Sequence, residues 1–229
     1  MQNMAKRYFI FDDHPNVRRG IKAYLSENSC WQCAGEASSC DEAVALVDSL
    51  PSDAAERAVY AAIVDASFKD KNVAAPASAE AINANGFGII RYIKQNARHI
   101  SCIVYSSYDF GGFVEYAMSN EIGADAYITK NAEESVILTA LYEVSHGRTF
   151  IQGDIINRYR MTLQALSELT KLETQMYRLA CAGLSNQQIA ERLGKNIRTV
   201  ENYMSRLYDK FGVKSRAEFV NLRSQENRG

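Results

Sequence analysis

The sequence lacks the features that would send a chain into a membrane, an oxidising compartment or a zinc site. None of its apolar runs approaches the roughly 20 residues that a spanning helix needs. The N-terminal stretch MQNMAKRYFIF has too short an apolar segment for a secretory signal, and Asp12 interrupts it. A cytoplasmic location and no membrane partner are expected. Cysteine is sparse and odd in number, at Cys30, Cys33, Cys40, Cys102 and Cys181, which argues against a disulfide framework. The spacing in CWQC suits redox or zinc chemistry, but no second pair and no nearby histidine completes a tetrahedral set. These thiols read instead as buried or half-buried strand residues. His14, His99 and His146 are scattered, and none reads as catalytic. No internal repeat is present.

Net charge is also scarce, at −1 over 229 residues, but it is unevenly placed. Residues 1–150 carry 13 Lys and Arg against 19 Asp and Glu, whereas residues 167–229 carry 11 against 7. An acidic first part and a mildly basic tail point to a nucleic-acid partner for the tail alone. With 47% hydrophobic and 23% charged residues, the chain has the make-up of one large or two modest soluble domains.

The first part alternates short apolar runs with helical patterns. Strands are expected at 7–12, 30–37, 58–65, 100–106 and 124–130, and helices at 17–27, 40–50, 87–96, 113–123 and 134–147. Five strands alternating with five helices predict a doubly wound, five-stranded parallel sheet covered on both faces. Such sheets bind ligands beyond the carboxyl ends of their strands. Those ends supply Asp12 and Asp13, Asp65, Ser106 and Lys130. A crowd of carboxylates with one lysine suits Mg²⁺, which prefers carboxylate oxygens and shares its shell with phosphate. Asp12 and Asp13 are then candidate metal ligands, and Asp65 is the candidate carboxylate that attacks phosphorus. Lys130 and the Ser106 hydroxyl are placed to meet phosphoryl oxygens.

The segments FDDHP, AIVDAS, CIVYSS and GADAYITK, in that order, resemble the receiver domain of two-component response regulators over roughly residues 5–147. The resemblance implies a flavodoxin-like fold for residues 1–147 and phosphorylation of Asp65 by a cognate sensor histidine kinase. It adds the carbonyl of Ser67 to the metal ligands Asp12, Asp13 and Asp65. It also makes Ser106 and Tyr127 a switch: the hydroxyl moves toward the phosphoryl group and the ring turns inward, reshaping the surface of the fourth helix, fifth strand and fifth helix. One departure is plain. The stretch 66–86, ASFKDKNVAAPASAEAINANG, is long for a strand–helix connection, delays Gly86 and displaces Pro76.

Residues 148–166 read as a linker, partly helical, and 167–229 as an all-α domain of four helices. Helices are expected at Leu172–Ala182, after a Ser185 cap, at Ile197–Phe211 after an Asn196 cap, and from Arg216. In the third, Val200, Met204, Leu207 and Phe211 make one apolar stripe. Two short helices joined by a glycine turn form a helix-turn-helix, whose second helix enters the major groove. Lys195, Asn196, Arg198, Thr199, Asn202, Arg206 and Lys210 are the candidate contacts to double-stranded DNA. GLSNQQIA, TVENY and KFGVKSRAE resemble the LuxR/NarL-type DNA-binding domain, nearly end to end. The family places apolar, Lys and often His residues where this chain has Lys195, Glu201 and Tyr203. The resemblance also implies a homodimer in the active state, with Val213, Phe219, Val220 and Leu222 available for the contact.

The joint expectation is a transcriptional response regulator, not an enzyme, whose phosphorylation at Asp65 controls dimerisation and promoter binding. One alternative keeps the architecture but replaces phosphorylation with control by a ligand or protein contact. A second is a Mg²⁺-dependent phosphohydrolase using Asp65. It lacks a second acid two positions on, where Ser67 stands, and leaves the tail without a purpose.

Overall fold

The computed structural model describes residues 4–51, 58–67, 85–109, 111–211 and 216. Contacts divide the chain into two compact units: Met1–Ser107 with Ala117–Gln152, and Tyr108–Tyr116 with Gly153–Gly229. Among the described residues, no helix is long and apolar enough to cross a membrane.

The first unit is built on an all-parallel sheet of β1 (Ala5–Phe11), β2 (Trp31–Ala37), β3 (Ala58–Val64), β4 (Ile100–Ser106), β5 (Ala126–Thr129) and β6 (Phe150–Ile151), in the order β2-β1-β3-β4-β5-β6. In sequence the intervening helices are α1 (Pro15–Asn28), α2 (Cys40–Asp48), α3 (Gly86–Asn96), α4 (Gly111–Met118), of which all but the last two residues group with the second unit, and α5 (Ser135–Ser145). The central strands are near-continuous buried runs, as a sheet covered on both faces requires. Tyr8, Ile10, Ile63, Ile103 and Ile128 form one core with Ile21 and Leu25 of α1 and with Ile137, Ala140, Leu141 and Val144 of α5. The four α5 residues fall at i, i+3, i+4 and i+7, one helical face. Phe9 stacks on Phe11 and on Tyr60, with ring centroids 5.8 and 6.0 Å apart. Full burial of each such aliphatic or aromatic side chain contributes roughly 1.5–3 kcal/mol.

The doubly wound parallel sheet is as expected, with one strand more than the five predicted. β6 lies in the stretch read as linker, where Phe150 pairs with Ala126 and Ile151 with Tyr127. Two residues are too few to show a period, so only a neighbouring strand edge reveals them. The helix expected over 113–123 ends at Met118. The amides of Ile122 and Gly123 both turn back to the Ser119 carbonyl, and Gly123 takes φ 79°. Cys40 and Cys102 are buried, but Cys30 and Cys33 are exposed, correcting the reading of CWQC. β2 is an edge strand, so one of its sides has no strand neighbour.

In the second unit α6 (Ile156–Ser167) falls in the expected linker, followed by α7 (Lys171–Cys181), α8 (Asn186–Leu193) and α9 (Ile197–Phe211). Two capping boxes start α7 and α8: Thr170 with Glu173, and Ser185 with Gln188. Gly194 closes α8 in the left-handed region at φ 59°, where a side chain would be strained. Val200, Met204 and Leu207 are buried as the stripe predicts, and Phe211 stacks on Tyr177 at 5.0 Å and 13°. Arg216 is helical, but the rest of the expected fourth helix lies outside the described residues. So do Val213, Phe219, Val220 and Leu222, and most of the 66–86 stretch.

Thr170→Ala removes a capping box and is expected to cost about 1 kcal/mol, and Gly194→Ala costs about the same through its backbone. Urea denaturation of each variant, followed by helical circular dichroism, checks both.

Candidate functional site

β1 and β3 lie side by side in the middle of the sheet, and each delivers a carboxylate just past its last residue. The Asp65 amide donates to the Phe11 carbonyl at 2.8 Å, and the Asp12 amide to that of Ala37 at 3.2 Å. These ladder extensions hold both acids at the carboxyl edge, only 1% and 3% exposed for Asp12 and Asp65. Lys130, one residue beyond β5, reaches across: its Nζ lies 2.7 Å from Asp12 Oδ2 and 3.0 Å from Asp65 Oδ2. Its own amide donates to the Ser106 carbonyl at 2.7 Å, tying the ends of β4 and β5 together. The Ser67 amide donates to Asp65 Oδ1 at 2.9 Å.

Thus Asp12, Asp65 and Lys130 come together, with Asp13 and Ser67 beside them. Ser106 is fully buried at the same edge. Tyr127 is fully buried too, so its ring already stands inside the fold. Burial pushes the Asp65 carboxyl above its ordinary range, and the Asp12 charge adds to this, while Lys130 and the Ser67 amide oppose it. Burial works against the Lys130 charge, but Asp65 and Asp12 outweigh it and the ammonium is held more firmly than usual.

One ligand atom from each of Asp12, Asp13, His14 and Asp65 lies within 4.8 Å of the others. An octahedral ion with donors at about 2.1 Å needs neighbours roughly 3 Å apart and opposite donors roughly 4.2 Å apart. The set fits a divalent cation, and its three carboxylates supply the oxygen donors that a hard one prefers.

Four contributors went unrecognised in the sequence. His14 joins the acidic cluster, and the Arg18 Nη1 holds the Asp12 carbonyl at 2.6 Å. Gly86 starts α3 so close to Asp65 that a Cβ there would overlap the Asp65 carbonyl oxygen. Gln152, buried just after β6, accepts from the Thr129 amide at 2.8 Å and its hydroxyl at 2.9 Å, which steadies the residue before Lys130. Only the glycine left a sequence signal, as the residue that opens the third helix.

In the second unit Lys195, Asn196, Arg198, Asn202 and Arg206 are exposed on α9 or just before it, and Thr199 is half-buried. Asn196 is also occupied locally, since its Oδ1 accepts from the Arg198 amide at 2.8 Å. The Arg206 guanidinium lies 5.8 Å from the Tyr203 ring centroid. Glu201 shares the exposed face. Lys210 stands apart: its Nζ lies 2.8 Å from Glu173 Oε1, joining α9 to the start of α7. That hydrogen bond, with those from Thr170, holds the Glu173 carboxyl down at about 2.

Residues 167–222 match the model of bacterial regulatory proteins of the LuxR family. Whole-length relatives agree with it. The DNA-binding transcriptional activator DevR/DosR of Mycobacterium tuberculosis is 29% identical over 225 residues, covering 93% of this chain and 91% of its own. The response regulator protein VraR of Staphylococcus aureus is 26% identical over 228 residues, covering 98% and 99%. Residues 167–222 thus carry the LuxR-family match, and the chain as a whole is similar to response regulators of the NarL/LuxR type. Solved structures share the fold of this chain. An RcsB–DNA complex superposes with a TM-score of 0.64 at 19% identity, over 94% of this chain and 96% of that one. RcsB of Salmonella enterica serovar Typhimurium, bound to a promoter in the presence of the phosphomimetic BeF3⁻, gives 0.66 at 20%, over 95% and 97%. The relatives are named as regulators, not as enzymes.

Because its folded carboxyl binds a proton more tightly than the ordinary value of 3.8, Asp65 costs stability as pH rises from 3.8 through the raised value. Asp65→Asn is therefore expected to melt roughly 2–4 °C higher than the parent at pH 7. The gap should close as pH falls toward 3.8; melting curves without divalent cations check it.

Proposed function

We propose that the chain is a DNA-binding transcriptional regulator controlled by phosphorylation of Asp65, acting in the cytoplasm with a sensor histidine kinase as phosphodonor. The observation that carries this is the shared lysine: Lys130 touches both Asp12 and Asp65, while Asp13 and Ser67 complete the rim. A single ammonium between two buried carboxylates marks a place where negative charge is meant to be exchanged. An Asp65 carboxylate oxygen attacks phosphorus, and the bond to the donor's leaving group breaks. Lys130 neutralises a phosphoryl oxygen, and the Ser106 hydroxyl donates to another. Mg²⁺, held by Asp12, Asp13, Asp65 and the Ser67 carbonyl, supplies further charge neutralisation when bound.

Phosphorylation shifts a pre-existing equilibrium rather than creating a new fold. The phosphorylated receiver, residues 1–147, favours a homodimer through the surface of α4, β5 and α5. The tail, residues 167–229, then binds two half-sites of double-stranded DNA. On α9, Arg198, Asn202 and Arg206 meet base edges and phosphates, with Lys195, Asn196 and Thr199 at its start. Glu201 narrows the sequences accepted, since a carboxylate accepts from cytosine N4 and repels phosphates. A second reading, control by a ligand or protein contact, is favoured by the long stretch between Asp65 and Gly86 and by Glu201 on the outward face of α9.

Incubation with a small phosphodonor and Mg²⁺ is expected to add the mass of one phosphoryl group, lost in Asp65→Asn. An unmodified parent chain would favour the second reading.

Arg198→Ala and Arg206→Ala are each expected to weaken promoter binding roughly tenfold and to lower its salt dependence. Lys210→Ala, with its lysine committed to Glu173, should lower stability and leave the salt slope nearly unchanged. Fluorescence anisotropy at several salt concentrations separates the three.

A further inference from the structure

We propose that Ile197 and Glu201 read a thymine and a cytosine next to each other on one strand of each DNA half-site. This rests on the tail binding DNA, as set out under the proposed function. It concerns which bases α9 selects.

The outward side of α9 is built of two adjoining stripes. Arg198, Asn202 and Arg206 recur at every fourth residue, and so do Ile197, Glu201 and Ser205. All six are exposed. The stripes differ in what they can bind. Arginine suits guanine and asparagine suits adenine, so the first stripe is made of purine readers. The second carries an aliphatic side chain and a carboxylate. In the major groove thymine alone offers a methyl group, and cytosine offers an amino group with no acceptor on its own edge. Guanine and thymine turn acceptors toward a carboxylate, and adenine sets N7 beside its amino group. Isoleucine and glutamate are therefore matched to pyrimidines.

Neither side chain is committed elsewhere in the second unit. Ile197 is 40% exposed, whereas Val200 and Met204 on the same helix are 0% and 1% exposed. Among the described residues no ion pair involves Glu201, whereas Glu173 is held by Lys210. The direction of both is fixed. The Asn196 carbonyl accepts from the amides of Thr199 and Val200 at 3.0 and 3.2 Å, which sets the first turn. Buried Val200, Met204 and Leu207 keep the helix from rolling. Ile197 opens α9, and the first residues of such a helix are those that reach base edges. Glu201 follows about 6 Å along the axis, within reach of the neighbouring base pair. Flanking phosphates repel its carboxylate, so a wrong base loses a hydrogen bond and keeps the repulsion.

The test uses the full-length chain, with and without a small phosphodonor and Mg²⁺, in selection from a random duplex DNA library. Enriched half-sites are expected to hold a thymine and a cytosine side by side. Fluorescence anisotropy then compares that site with two altered duplexes. Deoxyuridine in place of the thymine removes only the methyl group, and should weaken the parent about fourfold while leaving Ile197→Ala unaffected. A T·A pair in place of the C·G pair puts an acceptor before Glu201, and should weaken the parent about tenfold. Glu201→Gln, put through the same selection, should exchange the cytosine for adenine. The decisive changes are made in the DNA, so a folding defect in a variant cannot imitate them. Enriched sites without the pyrimidine pair would overturn the proposal. So would losses on the altered duplexes that are the same in the parent, Ile197→Ala and Glu201→Gln, although DNA binding itself would then stand. Enrichment of no sequence would overturn it too. If Arg198→Ala also binds DNA as tightly as the parent, the DNA-binding reading fails as well.

Discussion

The first unit depends on one electrostatic compromise. Two buried carboxylates, Asp12 and Asp65, face each other across the ends of adjacent central strands, and a single lysine from a third strand separates them. Without Lys130 two charges would sit in a medium where their repulsion is poorly screened. With it the cluster remains short of positive charge, because one ammonium meets two carboxylates and Asp13 adds a third beside them. The fold thus holds a place that gains when a cation enters and when a phosphoryl group shares the lysine. Burial expresses the same tension in the raised proton affinity of Asp65.

The scaffold around that compromise is stiff where it must be. The ends of β1, β3 and β4 are held by neighbouring backbone, and the end of β5 by Ser106 and Gln152. Gln152 is the last residue of the first unit, so the chain that leaves for the second unit also supports the residue before Lys130. The tie requires Thr129 and Gln152 to stay in register, which β6 ensures with two residue pairs.

In the second unit the basic residues divide into two uses. Arg198 and Arg206 remain exposed on α9. Lys210 is committed to Glu173, a buried acid that also caps α7. A count of positive charge along the helix overstates what is available to a polyanion. The stripe of Val200, Met204 and Leu207 fixes which face is outward, and Glu201 is on it. The surface is therefore mixed in sign, and a partner must be matched to it in detail rather than attracted by bulk charge.

Residue order alone determined the alternation of strands and helices, the carboxylates at the strand ends and the outward face of α9. Each follows from a local rule: apolar runs that end in acids, a 3.6-residue stripe, and serine, threonine or glycine at helix ends. It left out β6, the early end of α4, and the parts of His14, Gly86 and Gln152 in the crevice. It also gave no sign that Lys210 pairs with Glu173. Apart from His14, which meets its neighbours Asp12 and Asp13, and the local turn that ends α4, those features involve partners far along the chain, such as Gln152 with Thr129, Gly86 with Asp65 and Lys210 with Glu173. A periodicity can show which face of an element is buried. Which distant atom fills that space is settled only when the strands are laid side by side, because distance and direction between side chains are properties of packing and not of spacing along the backbone.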